Sequence, residues 1–217
     1  MERFAELKQY QRSHRNSFSE NLALRSHRGL SWLKRAEMCE DDPDAKFIFL
    51  WIAFNAIYAQ YLDTLRLREA ESFSKFIEKL VALDNENELS DIVWQEFSGS
   101  IRVLLNNPFV FQPFWEYQNG SIEEDEFKTR FASAKSSAAR ALGNAKTNIV
   151  LRLVLQRLYT LRNQLIHGGA TWNSSVNREQ LRDANCLLHK LVPTLIDIMM
   201  RNPDELWGDA NYPVVAI

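Results

Sequence analysis

Cysteine, glycine and proline are scarce in this sequence, and each scarcity narrows what the chain can be. Two cysteines among 217 residues, Cys39 and Cys186, cannot make a disulfide framework, and neither stands at a metal-ligand spacing. Seven glycines and six prolines are few, while Leu, Ala, Glu, Lys and Arg are plentiful, which argues for helices. No apolar run approaches the roughly eighteen residues of a membrane span. The longest, Phe47 to Ala59, is interrupted by Asn55. The opening Met-Glu-Arg-Phe-Ala-Glu is charged and carries no apolar signal region, so a cytoplasmic protein without membrane contact is expected, and Asn173-Ser-Ser is discounted as a glycosylation acceptor. Gly-rich phosphate loops, Cys/His zinc spacings, His-Glu-x-x-His and Gly-x-Ser-x-Gly are all missing, so neither a metal nor a cofactor is expected.

Carboxylates are missing from one long stretch. The net charge is −2, yet residues 1–35 carry eight Lys or Arg against three acids, 36–126 six against nineteen, 127–178 nine against none, and 179–217 three against six. The acid-free stretch reads either as a phosphate-facing surface or as a solvated face balanced by an acidic neighbour. The near-neutral total argues against indiscriminate coating of DNA, whose affinity rests on bulk positive charge.

What is present is a series of helical patterns. Residues 1–15 suggest a short basic helix or a loose arm, and Ser19 can cap a second helix reaching about Cys39. Asp41-Asp42-Pro43-Asp44 is a helix start for a segment of about 43–67. Its Phe47, Leu50, Trp51, Phe54, Ile57, Tyr58 and Tyr61 wrap around so broadly that it is expected to be the central core helix. Asn55 is its polar exception, placed either to satisfy a neighbouring backbone or to orient a site on a facing helix. Residues 69–83 are amphipathic, as are 89–105. Phe109 to Tyr117, with five aromatics and Pro113, reads as an aromatic loop that either plugs a core edge or stacks bases. An acidic quartet, Glu123 to Glu126, starts a helix to about Leu142. A final helix, about 177–201, carries Pro193, which should kink it, and His189 beside its apolar face. His14 and His27 read as surface residues that either could touch phosphate. Without repeats, linkers or a clear boundary, the expectation is one all-α domain over 1–217, in which the helices at 43–67, 147–167 and 177–201 pack together. Within it, 1–18 could be an N-terminal arm, 68–146 an acidic and aromatic insertion, and 202–217 an irregular tail.

The chain is organised around Arg162-Asn163-Gln164-Leu165-Ile166-His167-Gly168-Gly169, the end of an apolar helix that starts near Thr147. At about 100° per residue, Leu151, Leu155, Leu158 and Leu165 share a stripe, and Arg162 falls about 20° from Leu155. A guanidinium keeps its charge, so burying it there calls for an oxyanion, an interface or a cleft. Asn163 and His167 share the neighbouring flank, and Gly168 is expected to end the helix in a left-handed turn. The plain alternative is that Arg162 snorkels to water and His167 merely favours the negative end of the helix dipole.

Arg162, a polar residue, three more residues and His167 resemble the Arg-x4-6-His motif of the HEPN superfamily of ribonuclease-type helical domains. The upstream segment Phe47-Ile-Phe-Leu-Trp-Ile-Ala-Phe-Asn-Ala-Ile-Tyr58 is similar to an early helix of its Apea-like members. The resemblance covers about 20–65 and 147–200 and is weak between them. It implies a HEPN-like helical bundle with additional helices. It also implies metal-independent RNA cleavage by 2′-hydroxyl attack, with Arg162, Asn163 and His167 catalytic, in a homodimer whose two motifs line one cleft. Arg157, Lys146 and Arg28 are the cations expected to contact RNA, with Asn55 and Gly168 in structural or orienting roles. The chemistry fits these residue types, since imidazole exchanges a proton near neutral pH and a guanidinium matches phosphate. A toxin or phage-defence role, with an antitoxin or regulatory partner, is the implied setting. A catalytically silent HEPN module binding nucleotide, RNA or a protein is the alternative, and a helical immunity or antitoxin-like protein a third.

Overall fold

Helices account for all the regular structure in the computed structural model, which describes residues 2–59, 67–175, 177–210 and 212. The all-α expectation therefore holds: ten α-helices and no strand among the described residues. They are α1 Glu2–His14, α2 Glu20–Glu37, α3 Pro43–Tyr58, α4 Leu67–Leu83, α5 Glu88–Asp91, α6 Ser98–Asn106, α7 Gln112–Gln118, α8 Glu124–Gly143, α9 Thr147–Ile166 and α10 Arg178–Arg201. None is long and apolar enough to cross a membrane. The expected course of the third helix beyond Ala59, with Tyr61, lies outside the described residues. The chain forms two compact units, Met1–Glu86 with Asn185–Ile217, and Asn87–Ala184. Helix α3 and the later part of α10 belong to the first unit, and α9 to the second.

In the first unit, helix starts follow local chemistry. The Ser19 side chain accepts a hydrogen bond from the Leu22 N–H, and Asp42 accepts one from Ala45 at 3.0 Å with Pro43 just inside the helix. The expected arm is a docked helix. Leu7 of α1 is buried, Gln11 donates to the Ser26 hydroxyl at 3.1 Å, and Arg3 reaches Asp197 at 3.1 Å. Helices α2 and α3 pack so closely at Gly29 that a Cβ there would stand 2.7 Å from Ile57 Cγ2 and 3.3 Å from Ile196 Cδ1.

The sequence suggests α3 as the most central helix, but that description fits α10. Every residue from Leu191 to Met200 is buried, whereas Ile48, Phe49 and Ile52 on α3 are half-buried. Helix α10 continues through Pro193. Its buried Asp197 is neutralised from two sides, by Arg3 and by Arg201 Nε at 3.0 Å. Nearby, Arg25 is 1 % exposed and donates to the backbone carbonyls of Trp207, Gly208 and Ile57. Burial pushes its guanidinium down to about 10. The tail is irregular where described, yet Trp207 and Ala210 are buried in this unit.

His189 is half-buried, with Nδ1 enclosed and without a hydrogen bond. Burial first, then Lys46 and Lys190, hold its pKa below the ordinary 6.5 against the opposing pull of Glu37. The unfolded chain therefore takes up this proton before the folded one does. Its contribution to stability is complete above about pH 6.5 and is lost as the pH falls through that value towards the folded pKa. Equilibrium denaturation from pH 7.5 to 5 should show this acid limb in the wild type and a flatter one in His189→Gln.

In the second unit, the single helix expected over 89–105 is interrupted. A π-helical turn spans Ile92–Glu96, and the chain leaves helical geometry at Phe97 before α6 begins. This places Trp94 to donate to the Thr147 hydroxyl at 2.9 Å, at the start of α9. The expected aromatic loop is also more ordered, with a 3-10 turn at Pro108–Val110 followed by α7.

Candidate functional site

The end of α9 is fixed by its backbone. Gly168 takes φ +72, its N–H bonds to the Leu165 carbonyl at 3.3 Å, and the Gly169 N–H bonds to the Gln164 carbonyl at 2.7 Å. This pair of bonds is the Schellman closure, and it calls for glycine at 168. A side chain at 168 would be strained by the left-handed backbone, and a Cβ at 169 would sit 3.1 Å from Gln164 O. His167 is the last residue before this turn, its N–H bonded to the Asn163 carbonyl at 3.0 Å and its side chain exposed.

Arg162 sits at the edge of the buried arc. Leu151, Leu155 and Leu158 are buried, Leu165 is half-buried, and Ile166 is 46 % exposed, so the apolar stripe surfaces in its last turn. Arg162 is half-buried there. Its Nη1 donates to Asn163 Oδ1 at 2.9 Å, its Cζ lies 6.0 Å from the Tyr159 ring centroid, and its Nε is enclosed without a hydrogen bond. Among the described residues no carboxylate neutralises it. The outward face thus presents Tyr159, Arg162, Asn163, Ile166 and His167, spaced three, four, seven and eight residues from the first.

Not every expected residue joins this face. Lys146 is exposed but precedes the first turn of α9, about 24 Å along the axis from Arg162. Arg157 is buried. It is 7 % exposed, lies 4.1 Å over the Phe111 ring and donates to Leu105 O at 3.5 Å, and burial brings its guanidinium down to about 10. Its expected contact with RNA is corrected to a packing role. Arg28 and Asn55 belong to the other unit, where Arg28 donates to Tyr212 O at 2.7 Å and Asn55 Oδ1 is enclosed without a partner.

The acid-free stretch is partly balanced by carboxylates outside it. Lys128 pairs with Glu124 at 2.9 Å, and Arg130 with Glu116 at 3.2 Å and Glu126 at 2.5 Å. The aromatic segment is half-buried and packs largely on α8. Phe111 and Phe114 pack on Phe131 and Phe127 of α8, and Tyr117 stacks on Phe127 at 5.7 Å. Phe109 and Trp172 stay exposed.

One positioning residue was not singled out from the sequence. Gln164 donates to Phe109 O at 2.6 Å and accepts from Asn177 Nδ2 at 2.9 Å, joining α9 to the aromatic segment and to the entry of α10. Trp115 shares that carbonyl at 2.8 Å. The only signal was a polar residue flanking a catalytic-type motif. Gln164→Ala removes both side-chain bonds and should lower the stability of this unit by about 1–2 kcal/mol, read by urea denaturation.

No group of three or more His, Cys, Asp or Glu among the described residues could hold a metal ion. No family model, curated protein or solved structure matches the chain.

Proposed function

We propose that the end of α9 is the reaction centre of a HEPN-type, metal-independent endoribonuclease. The observation that carries this reading is a half-buried guanidinium, held by Asn163, five residues before an exposed imidazole at a backbone-locked helix end, the two about 140° apart around α9. In the reaction, an RNA 2′-hydroxyl attacks the adjacent phosphorus and loses its proton to a base. The bond from phosphorus to the 5′-oxygen breaks, that oxygen takes a proton, and the products are a 2′,3′-cyclic phosphate and a free 5′-hydroxyl. His167 transfers a proton, Arg162 stabilises the charge on the phosphate oxygens, and Asn163 orients Arg162.

Base and acid roles call for two proton-transfer groups, and each chain offers one histidine at this face. A homodimer supplies the second. Tyr159 and Ile166, both exposed, would cover each other's copies there, beside the half-buried Arg162. A cytoplasmic toxin or phage-defence role, restrained by an antitoxin or regulatory protein, is the setting proposed.

The silent binding module is favoured by one observation: the His167 ring has no hydrogen-bond partner among the described residues that would fix its orientation. The test uses RNA with a single ribose in a deoxy background, in EDTA, comparing wild type with folded His167→Ala and Arg162→Ala. Cleavage by the wild type alone supports the enzyme. Equal cutting by all three, or none under any activating condition, leaves the silent module.

A further inference from the structure

The first unit contains a basic cleft that the proposed chemistry does not use. On α1, Ala5, Lys8, Gln9, Arg12 and Ser13 recur at helical spacing, and on α2, His27, Ser31 and Lys34 do the same. These two rows and Phe4 line a cavity of about 850 Å³. No lining residue is a carboxylate. Glu6, on the same helix, is paired with Arg3 at 3.5 Å.

Two of the cations have defined contacts. Lys8 Nζ donates to Gln11 Oε1 at 2.6 Å and lies 3.4 Å from His27 Nδ1, while Gln11 is itself fixed to Ser26. Lys34 stands 5.8 Å over the Phe4 ring at the opposite wall. Burial and the Arg12 charge both push the Lys8 ammonium below its ordinary pKa, so the cluster carries repulsion that a bound anion would relieve. From Ala5 to Ser13 the cleft runs about 12 Å along α1, longer than one small anion needs. The Ser31 hydroxyl and the Gln9 amide supply further donors.

We propose that this cleft binds successive phosphates of a polyanion, with the backbone of a single nucleic-acid strand as occupant. The claim does not depend on catalysis at His167. Its test is anisotropy of a fluorescein-labelled dT15, which offers no 2′-hydroxyl, titrated with the full chain at several salt concentrations. The double substitution Lys8→Gln with Arg12→Gln should weaken binding at least tenfold and reduce the salt slope by about 1.4. Lys34→Gln, on the other wall, should weaken it in the same direction. Lys128→Gln with Arg130→Gln, an equal loss of charge elsewhere, should leave it within about twofold. Inorganic triphosphate serves as the second probe. Its competition with the strand supports a phosphate site, and triphosphate binding without strand binding assigns the cleft to free polyphosphates. The proposal is overturned if neither probe binds, or if the control pair weakens binding as much as the cleft pair in equally folded proteins.

Discussion

His167→Ala should lower RNA cleavage by about 10²-fold or more and leave the unfolding midpoint close to that of the wild type. The separation follows from the helix end. The bonds that close α9 run from the backbone N–H groups of residues 167, 168 and 169, and alanine keeps all three. The imidazole itself is exposed, so its removal opens no cavity. Arg162→Ala should also abolish cleavage, with a small stability change of either sign. It gives up the bond to Asn163 and releases a guanidinium whose Nε is enclosed without a partner. Arg162→Lys should rescue poorly, because an ammonium cannot present the planar fork to phosphate. Single-turnover cleavage beside thermal melts measures both effects. Equal loss of activity and of folded protein in His167→Ala would assign the residue to structure instead.

The largest stability loss is expected at Arg25. Arg25→Ala removes a nearly fully buried side chain and strands the carbonyls of Trp207, Gly208 and Ile57. Losing a packed long side chain together with its hydrogen bonds to those carbonyls is expected to cost about 3–5 kcal/mol. Arg25→Met keeps much of the volume and should recover the packing part of that loss, leaving the unpaired carbonyls as the remainder. Chemical denaturation followed by far-UV circular dichroism checks the order, wild type above Met above Ala. A loss under about 1 kcal/mol in Arg25→Ala would show that water replaces the guanidinium at those carbonyls.

Those two arginines mark the limit of what the sequence discloses. Helix ends were legible because their causes are local: Ser19, Asp42 with Pro43, and Gly168-Gly169 act within a few residues. Arg162 was legible as an anomaly on a leucine stripe. Arg25 and Arg157 were not, since their partners lie at Trp207 and Leu105, 182 and 52 residues away, and a basic helix residue looks solvated until those carbonyls arrive. Counting Arg157 among surface cations was therefore an error of range. Gln164 escaped for the same reason, with Phe109 55 residues away. The π turn at Ile92–Glu96 had no periodic signature, because its apolar residues suit a continuous helix equally well.

The burial of α10 turns that helix into a pair of clocks. Amides in Leu191–Met200 are enclosed on every side, so deuterium reaches them only when the first unit opens as a whole. The opening turns of the same helix, Arg178–Ala184, belong to the second unit and exchange on its terms. Peptides from the two ends of one continuous helix, followed in the same exchange experiment, would tell whether the units open in a single event or separately.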